Sequence, residues 1–356
     1  VTHVLIAGGG TGGHVFPGLA VAAELRARDC RVTWLGARRG IEVSRVPAAG
    51  IRLVTVAVTG AVGRSRLAQL GALASLVPAL LAALATLLRE RVDAVVAVGG
   101  YAALPGALAA AALGVPFVLQ EQNALPGLTN RLLAPWSEAI ACGFAAAVPA
   151  FPSLPAFWSG NPVRAEFFAV PPSSGGRSRV LVLGGSQGSA FLNERVPAAL
   201  ALLAQRGRAV PVVHQAGPRW EEEVRARYAT VGVAAQVTPF LEDPARAVGD
   251  ADLVVARAGA LTVTELAAAR RAAILVPFAA AAHGHQGANA RALAALGAAD
   301  VVEERSATPD RLADLLQARL AEPGELAARG ARGAALARRD AAATVAHLAM
   351  RRGGGA

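Results

Sequence analysis

Five stretches of this 356-residue chain hold side chains and backbone able to do chemistry. The first is Gly8-Gly9-Gly10-Thr11-Gly12-Gly13-His14, fed by the apolar run Val4–Ala7 and followed by an alanine-rich helical pattern. A strand that runs through glycines into a helix exposes backbone N–H groups at the helix N-terminus, which suits a phosphate or pyrophosphate. His14 adds a titratable group where an anion or a reacting hydroxyl would sit. The second and third, Gly99-Gly100-Tyr101 and Gln120-Glu121-Gln122-Asn123, each follow an apolar run. Strand ends in one parallel sheet share a rim, so His14, Tyr101, Glu121 and Asn123 can converge. Such a set can activate a hydroxyl by general-base catalysis. The fourth, Gly184-Gly185-Ser186-Gln187-Gly188-Ser189, reads as a turn that opens a helix beside a diphosphate. The fifth, Arg257-Ala258-Gly259-Ala260-Leu261-Thr262-Val263-Thr264-Glu265, follows another apolar strand. Its Glu265 is expected in the first turn of the next helix, where a carboxylate can accept from both hydroxyls of a ribose.

Other chemistries fit less well. Gly8-x-Gly10-x-x-Gly13 meets the dinucleotide fingerprint, but the strand Val32–Leu35 runs into Gly36-Ala37-Arg38-Arg39, and Glu42 comes only later. An NADP variant using Arg38 or Arg39 leaves His14 without a task. No Gly-Lys-Ser/Thr follows the glycines, so the loop is not a P-loop. His283 and His285 lack neighbouring cysteines or carboxylates, against a metal site.

The elements that must position these groups follow from hydrophobic patterning. Strands are expected at 3–7, 31–35, 52–57, 94–98, 116–119 and 138–141, with helices at 16–28, 40–49, 66–90, 103–113 and 126–134. This alternation predicts a parallel sheet covered on both faces. A passage with Pro149, Pro152, Pro155 and Pro162 reads as a crossing to a second domain. The pattern restarts with strands at 179–183, 210–214, 234–237, 253–255 and 273–276, then a helical stretch at 309–349 and a glycine-rich tail expected to fray. Ligands in such sheets bind beyond the carboxyl ends of the strands, where all five stretches fall.

Composition sets bounds. All 35 basic residues are arginine and the net charge is +10, which favours anionic partners. The charge is scattered, without the basic and aromatic stripes of a nucleic-acid binder. Cys30 and Cys142 fit no metal or disulfide spacing and read as reduced core thiols of a cytosolic protein. No basic-then-apolar leader precedes the first strand, so secretion is not expected. Leu67–Leu88 holds 22 residues without a charge, long enough by count to span a bilayer, yet it contains Gln69, Ser75, Pro78 and Thr86. A crossover helix fits it better. Its outer leucines, flanked by Arg64, Arg66, Arg89 and Arg91, are suited to resting on an anionic membrane.

Gly8–Ala20, Gly99-Gly100-Tyr101, Glu121-Gln122-Asn123, Gly160-Asn161-Pro162-Val163-Arg164, Gly184–Gly188, Gly259–Glu265 and Gln286 with Asn289, in this order, resemble the MurG family of peripheral glycosyltransferases. The resemblance implies an α/β fold of GT-B type, two Rossmann-like doubly wound parallel-sheet domains facing a cleft. Residues 1–160 would form an acceptor- and membrane-facing domain, on which a final helix at 338–356 packs back, and residues 161–337 the UDP-sugar domain. The implied reaction is inverting transfer of N-acetylglucosamine from UDP-GlcNAc to the C4 hydroxyl of the muramyl sugar of lipid I. The product is lipid II, made for peptidoglycan at the cytoplasmic face of the plasma (inner) membrane.

His14 and Glu121 are the implied catalytic residues, either of which qualifies as the base. Leu241 would read uracil through its backbone, Glu265 would take the ribose, and Ser186, Gln187, Ala260, Leu261 and Thr262 would hold the diphosphate. Arg164 would sit near phosphates or sugar, with Gln286 and Asn289 on the sugar. Thr11, Gly12, Gly13 and Asn123 would also contact UDP-GlcNAc, and Gly12, Gly13, His14, Tyr101 and Asn123 would bind the acceptor, the glycine loop facing its pyrophosphate. No cofactor, metal ion or nucleic acid is implied. An anionic membrane surface and other cell-wall synthesis proteins are implied partners. The chain departs from the family at Gln120, usually histidine, at Ala258, often serine, and at Gly284, often acidic. The nearest rival is another UDP-sugar transferase of this fold acting on a lipid, such as a diacylglycerol glycosyltransferase.

Overall fold

Short buried strands alternating with alanine-rich helices build two all-parallel sheets, one in each of two units of the computed structural model. Residues 1–58, 66–173, 176, 178–281 and 284–353 are described, without the side chains of 66–74, 352 and 353. The units are Val1–Arg164 with Arg338–Ala356, and Ala165–Ala337.

The first unit runs β1 (His3–Ala7), α1 (Gly12–Arg26), β2 (Arg31–Ala37), α2 (Glu42–Ala48), β3 (Arg52–Val56), α3 (Arg66–Glu90) and β4 (Ala94–Ala97). It continues with α4 (Ala103–Leu113), β5 (Phe117–Glu121), α5 (Leu128–Leu133), β6 (Ala139–Cys142) and β7 (Ala156–Trp158). The strand order is β3-β2-β1-β4-β5-β6-β7, so the sheet reverses direction of winding between β1 and β4. Alternate side chains of β1 feed two cores: Leu5 and Ala7 face α3 and α4, while Val4 and Ile6 join α1 and Trp34.

The second unit holds α6 (Ala165–Ala169), β8 (Val180–Leu183), α7 (Ala190–Gln205), β9 (Val212–Gln215), α8 (Glu221–Thr230), β10 (Ala235–Thr238) and α9 (Pro244–Asp250). Then come β11 (Leu253–Ala256), α10 (Ala260–Ala268), β12 (Ala272–Leu275), α11 (His285–Ala294), β13 (Ala299–Val301), α12 (Pro309–Ala321) and α13 (Pro323–Gly333). The order β10-β9-β8-β11-β12-β13 reverses between β8 and β11. The last helix, α14 (Ala341–Gly353), packs on α1, β4 and β5 of the first unit, burying Val345, Ala346 and Ala349.

Several expectations are corrected. Helix α1 opens at Gly12, inside the glycine loop, rather than at 16. Helix α7, by contrast, opens at Ala190 directly after the glycine turn, where Ser189 caps it by accepting from Leu192 N–H. The proline-rich passage read as a crossing carries β7, three residues that pair with β6 at the sheet edge. The helical stretch 309–349 is three helices, broken before Pro323 and at Ala337–Asp340. Glu265 is the sixth residue of α10 and lies in its second turn, away from the dipole end. The glycine tail at 354–356 lies outside the described residues. Cys30 and Cys142 are buried free thiols, and burial pushes Cys142 up to about 12.

Helix α3 buries Ala79, Ala83, Thr86 and Leu87 and exposes Val77, Leu81 and Leu88 on the opposite side. No helix among the described residues is long and apolar enough to cross a membrane. Arg64 and the side chain of Arg66 lie outside what is described.

Candidate active site

In the first unit the site grows from the switch between β1 and β4. The buried indole of Trp34 on β2 donates to Gly8 O (2.8 Å), anchoring the start of the glycine loop. The ladder of α1 begins with His14 and Val15 donating to Thr11 O, and Thr11 makes no side-chain cap. The N–H groups of Gly12 and Gly13 therefore stand at the positive end of the helix, as an anion requires. Gly99 and Gly100 follow β4 with φ of 86° and 77°, and a Cβ on Gly99 would stand 2.7 Å from His14 Nδ1. Only glycine gives that backbone conformation and leaves room for the imidazole.

His14 is half-buried and its tautomer is set by its neighbours. Nδ1 faces two acceptors, Val98 O (3.1 Å) and Gln122 Oε1 (3.2 Å), so Nδ1 carries the proton and Nε2 keeps a lone pair. The Gln122 amide is itself oriented, donating to Val98 O (2.7 Å) and to Gln120 Oε1. Gln120 in turn donates to Asn161 Oδ1 (3.2 Å), and Asn161 donates to Gln122 O (3.0 Å). Burial pulls the imidazole below its ordinary value, against an opposing pull from the Glu121 and Glu42 carboxylates. The neutral ring is a proton acceptor at neutral pH.

Glu121 is engaged differently. Its carboxylate, 1% exposed, accepts from Asn123 N–H (2.8 Å), Asn123 Nδ2 (3.2 Å), Gly127 N–H (2.9 Å) and Asn130 Nδ2 (2.8 Å). Four donors hold it as the organiser of the loop after β5, with Asn123 half-buried at its edge. Tyr101 is half exposed, on the turn after Gly100. The Arg164 guanidinium lies 4.8 Å from the ring centre of Phe16 on α1, placing it beside Gly12, whose Cβ position contacts the same ring.

In the second unit the switch between β8 and β11 is built around a cation. Arg257 donates through Nε to Ser189 Oγ (2.8 Å), through Nη1 to Val276 O (3.1 Å), and pairs with Glu304 (2.6 Å). Its guanidinium lies between the rings of Phe191 and Phe278. Burial lowers it from its ordinary value, and Glu304 opposes this. Ser186 and Gln187 sit on the loop ahead of Ser189, Ser186 half-buried and Gln187 exposed. Helix α10 starts at Ala260 behind Gly259, with no side-chain cap, so the N–H groups of Ala260, Leu261 and Thr262 stand at its positive end. Glu265 is half-buried one turn further, and Leu241 is half-buried in the loop after β10.

Gln286 and Asn289, expected at the sugar, also hydrogen-bond the neighbouring backbone. Gln286 Oε1 accepts from Ala258 N–H (3.2 Å) and Phe278 N–H (2.9 Å), and the buried Asn289 donates to Ala258 O (3.2 Å). Together they hold the peptide that leads into α10. His283 lies outside the described residues, and among those described no three metal-ligating side chains cluster.

Comparison with known proteins decides the family. Residues 4–142 match the glycosyltransferase family 28 N-terminal domain and residues 179–345 its C-terminal domain. A Xylella fastidiosa (strain Temecula1) protein is 43% identical over 361 aligned residues, covering 99% of this chain and 98% of that one. Its name is UDP-N-acetylglucosamine–N-acetylmuramyl-(pentapeptide) pyrophosphoryl-undecaprenol N-acetylglucosamine transferase, and a Thiobacillus denitrificans protein of that name is also 43% identical, covering 97% of this chain and 96% of its own. The crystal structure of Acinetobacter baumannii MurG superposes with a TM-score of 0.80 at 34% identity, over 99% of this chain and all of that one. The chain belongs to the MurG family. It is a hexosyltransferase with two Rossmann-like parallel-sheet units of GT-B type.

Two elements of this MurG-family site were given no role from sequence. One is Arg257, which opens the fifth stretch directly after the apolar strand β11. The other is Ala216-Gly217 after β9, against which the Ser186–Gly188 loop locks: a Cβ on Gly188 (φ 76°) would overlap Ala216 O. Its signal was a glycine at a strand end, a mark of close backbone approach.

Proposed function

We propose that this protein transfers N-acetylglucosamine from UDP-GlcNAc to the C4 hydroxyl of the muramyl sugar of lipid I, with inversion, giving lipid II. The observation that carries this reading is the 43% identity, spanning both units, with proteins whose name states that transfer. The site geometry supplies the chemistry. His14 Nε2 accepts the C4 proton as the C4 oxygen attacks C1 of the donor sugar. The bond from C1 to the β-phosphate oxygen breaks, its electron pair stays on that oxygen, and UDP leaves. The orphan N–H groups of α10 and the Ser186-Gln187 loop stabilise the charge that develops there, the kind of preorganised electrostatics that dominates many enzymatic rates. Glu265 accepts from the ribose hydroxyls and the backbone at Leu241 reads the base. On the first unit the acceptor pyrophosphate meets Gly12 and Gly13, with Tyr101 and Asn123 bordering it, while Arg164 serves the donor's phosphates or sugar. Glu121 holds the Asn123 loop, which leaves His14 as the base.

The acceptor's lipid calls for a membrane surface. Exposed Val77, Leu81 and Leu88 on α3, and exposed Leu128, Leu132 and Trp136 on and after α5, accompany Arg89, Arg91 and Arg131. Helices α3 and α5 both pack on α4. Apolar side chains flanked by arginine suit peripheral docking on anionic lipid at the cytoplasmic leaflet.

The test is transfer of radiolabelled GlcNAc to a short-chain lipid I analogue with EDTA present, alongside His14→Ala and Glu265→Ala. Product from the wild type alone supports the reading and its independence from metal. UDP-GlcNAc binding without product points to a different lipid acceptor, and absence of donor binding overturns the assignment.

A further inference from the structure

Beneath the glycine loop of the first unit lies a carboxylate to which neither substrate nor proton transfer has been assigned. Glu42, the first residue of α2, is completely buried. Gly10 N–H donates to both of its oxygens (2.9 and 3.0 Å), and Ala37 N–H donates to Oε1 (3.1 Å). Glycines make the space for it. A Cβ on Gly9 or on Gly40 would overlap the carboxylate, and one on Gly36 would stand 2.9 Å from Glu42 Cγ. Three glycines around one buried acid form a built cradle, and the acid closes the loop between β1 and α1 onto the end of β2.

A negative charge under a phosphate-binding loop is at first sight misplaced, since it repels the anion. Its position explains it. By taking the Gly10 N–H, Glu42 removes one donor from the tip of the loop. The free N–H groups at the start of α1, on Gly12 and Gly13, then become the preferred seat for the acceptor's phosphates. The same charge acts on His14. The carboxylates that raise that imidazole are Glu121 at the end of β5, the larger, and Glu42 of α2, the smaller, while Arg164 lies over Phe16 of α1. We propose that Glu42 is a positioning residue for the transfer, fixing the Gly8–Gly13 loop so that the acceptor pyrophosphate seats on the N-terminus of α1. This rests on the reading of the first unit as the acceptor side. The Glu42 charge also favours the protonated form of His14, by less than that of Glu121.

Two variants separate the two parts. Glu42→Gln keeps the shape and one acceptor oxygen but removes the charge; Glu42→Ala removes both. With UDP-GlcNAc and a short-chain lipid I analogue, Glu42→Gln is expected to raise the KM for the acceptor about threefold, because a neutral amide holds the Gly10 N–H less strongly than a carboxylate, and to move the acidic limb of kcat/KM to lower pH. Glu42→Ala is expected to raise the KM for the acceptor about tenfold while the KM for UDP-GlcNAc stays within about twofold, as loss of a buried charge-assisted hydrogen bond implies. A purely structural role would lower the melting temperature of both variants and leave the pH limb and the ratio of the two KM values where they are; that result overturns the inference. Should Glu42→Ala fail to fold, the near-isosteric Glu42→Gln still decides it through the ratio of the two KM values. Failure of the wild type to use the lipid I analogue would instead contradict the proposed function, so the two failures are told apart.

Discussion

The two units present the same device, a glycine loop at the switch point of a parallel sheet, and back it with opposite charges. In the first unit the loop rests on buried Glu42 and runs directly into α1, beside the neutral imidazole of His14. In the second the helix starts late behind a Ser189 cap, and the cap is held by Arg257, itself paired to Glu304. A cation near the loop suits a place where negative charge must accumulate on a leaving diphosphate. A carboxylate near the loop suits a place where a histidine must accept a proton. The shared fold sets both loops at strand ends, and the charge behind each loop differs, a buried carboxylate in one unit and a half-buried guanidinium in the other.

The largest effect that would sharpen this contrast is on turnover. His14→Ala is expected to lower kcat by about a thousandfold, the range for a general base, while calorimetric binding of UDP-GlcNAc stays within about twofold. A large loss of donor affinity instead would break the division. Glu265→Ala is expected to do the reverse, raising the KM for UDP-GlcNAc about a hundredfold through two lost charge-assisted hydrogen bonds. Steady-state kinetics with each substrate varied in turn check both.

A pH effect should also separate the units. In the second, His214 is buried between Tyr228 OH (2.9 Å) and Asn193 Oδ1 (3.0 Å), and burial lowers it to about 3. The unfolded chain binds a proton at its ordinary value of 6.5 and the folded one does not. Stability is therefore full above that value and is lost as pH falls from 6.5 toward about 3. Urea melts at stepped pH should show the loss, and His214→Gln should flatten the slope over that window. The smallest effect is at the Ser189 cap: Ser189→Ala should cost about 1 kcal/mol, read as a lower urea midpoint.

Much of this was legible in the sequence because the central strands β1, β4, β5, β8 and β11 are short, apolar and buried, and glycine or polar residues stand at or just after their ends. The loops at Gly8–His14, Gly99–Tyr101, Gln120–Asn123, Gly184–Ser189 and Gly259–Glu265 all lie at strand ends. What escaped was what depends on tertiary partners. Three-residue edge strands such as Ala156–Trp158 are too short for a period and hide among prolines. The start of α1 at Gly12 contradicts glycine's low helix propensity and is imposed by the loop geometry. Glu42 carried no signal as a distant acid, since its role comes from glycines at 9, 36 and 40 closing around it. The hydrogen bonds of Gln286 and Asn289 to the backbone of Ala258 and Phe278 join residues distant in sequence and so carried no signal either.

Amide hydrogen exchange with and without UDP tests the division between the units most directly. The account predicts that UDP protects the amides of Gly184–Ser189 and Ala260–Thr262 and leaves Gly9–His14 unchanged. Protection of Gly9–His14 with none in the second unit would contradict it.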